Sequence, residues 1–109
     1  MKLMLCLETR KRGVASMLLS YEERDLLHAF IYNTLPKAYG NIHSDSPNWR
    51  YWSGVTHVLT SVRDMLCSER TTKEHISDWL TIVSNGCIGE YGSGFLWAAA
   101  NIKRIIGKK

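Results

Sequence analysis

Three cysteines, Cys6, Cys67 and Cys87, are all that this chain of 109 residues contains, and no two are closer than twenty positions. An odd, widely spaced set builds no disulfide framework and points to a reducing compartment. Long apolar runs are missing as well. The stretch LMLCL after Lys2 is five residues long and then meets ETRKR, too short for the core of a secretory signal or for a membrane span. Together these features predict a soluble, cytoplasmic protein with no membrane partner. No C-x-x-C or H-x-x-x-H pair occurs, and without two ligands on one turn a structural metal site is not expected. There is no nucleophile elbow, no internal repeat, no low-complexity tract and no linker dividing the chain. One domain over 1–109 is expected, with residues 1–19 as a basic arm.

What is present is apolar and helical in pattern. Hydrophobic residues make up 45% of the chain, with four tryptophans, enough for a real core and against disorder as the main state. The strongest signal runs from Trp49 to Glu69. Trp52, Val55, Leu59, Val62 and Leu66 recur at steps of three and four, and Tyr51, Val58 and Met65 widen that stripe to an arc of roughly 140°. The opposite side carries Arg50, Ser53, His57, Thr60, Ser61, Asp64 and Ser68. This is the expected central helix, with a plain polar back on which His57 stands alone among serines and threonines.

Other helices flank it. Ser20-Tyr-Glu-Glu23 fits a capping box, opening a helix whose buried side is Leu26, Leu27, Phe30 and Ile31 and which Pro36 should end. Lys37 to Asn48 reads as the longest loop, and Ser46 or Asn48 is placed to cap the central helix, with Pro47 in its first turn. Thr71-Thr-Lys-Glu74 is a second capping box, before a helix with Ile76, Trp79, Leu80 and Val83 on one side and His75 and Ile82 at its edge, His75 resting on Trp79. Asn85-Gly86 suits a left-handed helix stop. The glycine-rich stretch CIGEYGSG reads as a mobile connector, and the last helix is expected from about Gly94 to Ile106, with Phe95, Ala98, Ala99, Ile102, Ile105 and Ile106 buried. The sum is an all-α fold, a bundle of about four helices.

Charge is uneven. Residues 1–13 hold Lys2, Arg10, Lys11 and Arg12 against Glu8, and residues 103–109 hold Lys103, Arg104, Lys108 and Lys109 with no acid. Net charge is +4 overall, so the body between these ends is mildly acidic, unlike a uniformly basic nucleic-acid protein.

The residues that could do chemistry are better explained as structure. Glu22, Glu23 and Asp25 crowd a first helical turn where the helix dipole accounts for them. His28 lies on a polar face and His43 in the long loop, and Cys67 and Cys87 have no evident cationic neighbour to activate them. The glycine run lacks the G-K-[ST] ending of a phosphate loop. No catalytic residue, metal or cofactor is therefore assigned, and no stretch resembles a known family closely enough to name one.

One feature resists the structural explanation. Trp97 and Leu96 point away from the apolar face of the last helix, and Ala100 and Arg104 line the same outer side. A helix apolar on two sides is central or partner-facing, and tryptophan and arginine often dominate interface energy. The alternative is that the N-terminal arm covers Trp97. The expectation is a small non-enzymatic binding protein, an inhibitor, adaptor or accessory factor of the sort common in phages and mobile elements, docking a protein partner or a second copy of itself. The rival expectation is a nucleic-acid binder that sets Arg10, Lys11, Arg12, Lys103, Arg104, Lys108 and Lys109 on phosphates.

Overall fold

The computed structural model describes residues 18–43 and 45–107. Among the described residues there are four helices, α1 (Tyr21–Tyr39), α2 (Trp49–Met65), α3 (Lys73–Ser84) and α4 (Gly89–Gly107). The fold is all-α. Among the described residues the one β-type pairing is an isolated antiparallel bridge between Leu18 and Thr72, and no helix is long and apolar enough to cross a membrane.

The predicted capping box opens α1. The Ser20 hydroxyl accepts from the Glu23 backbone N–H at 3.0 Å and the Ser20 N–H donates to Glu23 Oε1 at 2.8 Å, which satisfies two groups the first turn leaves open. Pro36 does not end the helix; α1 continues to Tyr39. Proline costs a helix one backbone hydrogen bond and crowds the preceding turn. Here it stands in the last turn, and the burial of Leu35 and Ala38 on either side of it offsets that cost. The loop is correspondingly shorter, Gly40 to Asn48. Leu26, expected inside, is 48% exposed, whereas Leu27 and Ile31 are fully buried.

In α2 the predicted arc is the buried face, with Val55, Val58, Leu59 and Val62 wholly inside and Leu66 nearly so. Its ends differ from expectation. Asn48 is the N-cap but makes no side-chain capping bond, Pro47 precedes the helix instead of lying in its first turn, and the helix stops at Met65, four residues before Glu69. Arg24 of α1 reaches the carbonyls just past that end, Leu66 O at 3.0 Å and Ser68 O at 2.8 Å. Helix C-termini leave such acceptors open, and here a neighbouring helix supplies the donors.

The cap of α3 shifts by one residue. Thr72, not Thr71, accepts from the His75 N–H at 3.1 Å, while the buried Thr71 hydroxyl donates to Met65 O at 2.5 Å. Glu74 closes no capping box, its Oε1 being buried without a hydrogen-bond partner. Asn85 has a right-handed φ of −63°, so no left-handed stop ends α3. Gly89, at φ 70°, is the one described residue with positive φ. It opens α4 five residues earlier than expected, and the region read as a mobile connector is mostly the first turns of that helix.

A single apolar cluster joins the four helices, with Phe95, Leu27, Ile31, Leu59, Ile76, Leu80 and Ile102 at its centre. α2 and α4 form the most intimate pair, with α1 resting chiefly on α2 and α3 chiefly on α4.

Candidate docking surface on the last helix

Glycine holds α4 where it is. A Cβ on Gly94 would overlap the Tyr51 carbonyl of α2, and one on Gly54 would overlap the Tyr91 carbonyl and stand 2.8 Å from the Phe95 nitrogen. The two backbones thus touch at Gly54 and Gly94, a closeness that any side chain would prevent. Gly92, also buried, admits no Cβ either, with the Cys87 carbonyl carbon 2.8 Å from where one would lie. With this face pressed on α2, Phe95, Ala98 and Ile102 complete the core and the opposite face is turned outward.

On that outer face Leu96 is 50% and Trp97 41% exposed, and Ala100 and Arg104 are exposed beside them. The Trp97 indole leans on Phe30 of α1, ring centroids 5.9 Å apart at 47°, so one side of the ring is held while the rest faces water. Asn101 continues the strip. Its Nδ2 donates to the Trp97 carbonyl at 2.9 Å, and Arg104 Nη2 donates to its Oδ1 at 2.5 Å, which fixes the guanidinium two turns from the indole. Leu96 and Ala100 also line a shallow groove of about 260 Å³ between α3 and α4, with Ala99, Thr81 and Ser84. Leu96, Trp97, Ala100 and Arg104 are in this way brought onto one surface.

Of the alternative nucleic-acid residues, Lys103 and Arg104 are among those described. Arg10, Lys11, Arg12, Lys108 and Lys109, like the arm considered as a cover for Trp97, lie outside the described residues. Lys103 is on α4 but turns toward α3, its Nζ donating to Thr81 Oγ1 at 2.7 Å.

A second cluster departs from the sequence reading. His57 is not isolated on a polar back. Its Nδ1 and the Tyr91 hydroxyl share a hydrogen bond, and its ring packs edge-on to Trp79 and Phe95, at 5.7 and 5.5 Å between centroids. Trp79 pairs with His57 and Phe95, not with His75. Burial pushes the Tyr91 hydroxyl above its ordinary pKa, and the nearby Cys87 adds to the rise; burial alone does the same for Tyr51. The signal in the sequence was Gly54, three residues before His57 on the same flank, because a glycine inside a helix often marks close approach of another element. Among the described residues no three His, Cys, Asp or Glu side chains are grouped as metal ligands. No family model matches the chain, and neither a curated protein nor a solved structure is found to match it.

Proposed function

We propose that this is a non-enzymatic binding protein, an inhibitor, adaptor or accessory factor, that docks another protein through Leu96, Trp97, Ala100 and Arg104 on α4. The observation that supports this reading most is Trp97, a large indole left 41% exposed beside the half-exposed Leu96 on a helix clamped to its neighbour by backbone contact. Holding an aromatic anchor rigid lowers the ordering cost of binding, and an exposed apolar strip edged by arginine is the composition of an interface centre. Charge favours a protein partner over nucleic acid: residues 18–107 carry eight Lys and Arg against nine Asp and Glu, so the body offers phosphate no net attraction.

The test compares the wild-type chain with Trp97→Ala as bait. The variant should lose about 1–2 kcal/mol of stability, less than the 3–5 kcal/mol of a fully buried tryptophan, and keep its helical circular dichroism. It should also fail to retain a protein that the wild type retains. Equal retention by both baits would reject the strip as the docking surface. Binding to mixed DNA or RNA that weakens steeply with salt, unchanged in Trp97→Ala, would support the rival use of the basic ends instead.

A further inference from the structure

The outward side of α4 carries charge as well as apolar surface. Its exposed residues include Glu90, Ser93, Leu96, Trp97, Ala100 and Arg104. At about 100° per residue, Glu90, Trp97 and Arg104 stay within about 20° of one line down the helix, and Ser93 and Ala100 follow beside it at steps of three and four. A seam of that spacing is what one helix offers to another. Its two ends are opposite in sign, with Glu90 in the first turn and Arg104 in the last. Among the described residues the one ion pair joins Lys73 and Glu23, so neither Glu90 nor Arg104 is neutralised by a described neighbour. Between the two charges the large Trp97 stands next to the small Ser93 and Ala100.

Resting on the reading of this face as a docking surface, we propose that its partner is a second copy of the chain, with the two α4 helices antiparallel across each other. Charge selects that direction. Antiparallel helices bring Glu90 of each copy to the end where Arg104 of the other stands, whereas parallel ones would set Glu90 on Glu90 and Arg104 on Arg104. With Trp97 of one copy over Ala100 of the other, large faces small, and Arg104 comes opposite Ser93. Glu90 is then three residues, about 4.5 Å along the axis, from the opposing Arg104, an offset that two long side chains span. The eight Lys and Arg against nine Asp and Glu of residues 18–107 leave little bulk repulsion between copies. The area fits a weak dimer. From Glu90 to Gly107 the face is about 26 Å long. It reaches α1 at Phe30 and α3 at the groove beside Leu96, and with helix axes about 8–10 Å apart it is about 20 Å wide. That is roughly 500 Å² a side and about 1,000 Å² in all, the lower bound of a specific interface, which sets the expected dissociation constant in the micromolar range.

The test is sedimentation equilibrium of the full chain from about 1 μM to about 0.2 mM. The wild type should pass from monomer to dimer, and Trp97→Ala should raise the dissociation constant about 30-fold, the effect of losing an interface hot spot. Glu90→Arg alone, or Arg104→Glu alone, turns two attractions into two repulsions and should raise it about tenfold or more. Both positions are exposed, so circular dichroism should not change. Mixed in equal amounts, these two single variants should pair with each other about as tightly as the wild type pairs with itself, and one chain carrying both substitutions should dimerise again. A chain still monomeric at about 0.2 mM, a dimer indifferent to Trp97→Ala, or no pairing between the Glu90→Arg and Arg104→Glu chains would each overturn the proposal. The docking reading is judged separately. If the chain is monomeric and wild-type bait retains a different protein that Trp97→Ala loses, the surface docks a partner and that partner is not a second copy.

Discussion

Gly94 of α4 lies so close against the Tyr51 carbonyl of α2 that a single methyl group at Gly94 would overlap it. Around that contact the position of α4 is set, and with it the direction in which Trp97 faces.

The contact predicts an inverted response to alanine. In an exposed helix Gly→Ala is stabilising by roughly 0.5–1 kcal/mol. Gly94→Ala and Gly54→Ala should instead destabilise by about 3 kcal/mol, the upper end of overpacking, because the obstructing atoms are backbone and cannot rotate away. Gly86→Ala is the control. Nothing but the Val83 carbonyl, at 3.8 Å, lies near its would-be Cβ and its φ is not positive, so it should be neutral or slightly stabilising. Urea titrations of the three variants measure this.

Arg24 should matter more than a surface arginine. It donates to two carbonyls beyond the end of α2, and Arg24→Ala leaves the partly buried Leu66 carbonyl without that donor, at a cost of about 1–2 kcal/mol. Arg24→Lys cannot reproduce the two-pronged geometry and should recover less than half. Loss of amide protection at the last turn of α2 in hydrogen exchange would localise the effect.

Glu23 links stability to acid. Partial burial opposes its ionisation, but the hydrogen bonds from Lys73 and from the Ser20 N–H outweigh that, and its pKa is held below the ordinary 4.5. A lowered folded pKa gives stability that is present above pH 4.5 and is lost as pH falls through the folded value. Glu23→Gln keeps the capping geometry while removing the charge. It should cost about 0.5 kcal/mol at neutral pH, in the range of a surface ion pair, with the difference from wild type vanishing in acid. Thermal melts across that pH range give the comparison.

Tyr51 and Tyr91 act at the other extreme. Burial raises both hydroxyls above 10.0, so their contribution is complete below pH 10 and is lost as pH rises through the raised folded values. Tyr91→Phe should reduce the alkaline loss and, by removing the bond to His57, cost about 1 kcal/mol at neutral pH. Ultraviolet titration of tyrosinate absorbance should show two late-ionising groups in the wild type and one in the variant.

Much of this architecture was legible in the order of residues, for local reasons. The period of Val55, Val58, Leu59 and Val62 can be satisfied only by a helix with one apolar face, and Ser20 with Glu23 closes the first turn of α1 from within four residues. The inward residues of α4 follow from the same rule. Local chemistry misplaced the boundaries where packing competed with it. Pro36 was a stop signal until the burial of Leu35 and Ala38 outweighed its missing hydrogen bond, and the glycines before Phe95 looked like a connector.

The sequence by itself determined that there would be helices, which face of each would be apolar and that Trp97 and Leu96 fall outside the apolar face of α4. Those properties depend on spacings of three and four within one segment. Only the tertiary structure decided that α4 begins at Gly89, that Gly54 and Gly94 let two backbones touch, that His57 faces Tyr91, and that Leu26 stays partly in water. Each of these depends on the distance between segments far apart in the chain, and periodicity within one helix carries no information about how closely another will approach it.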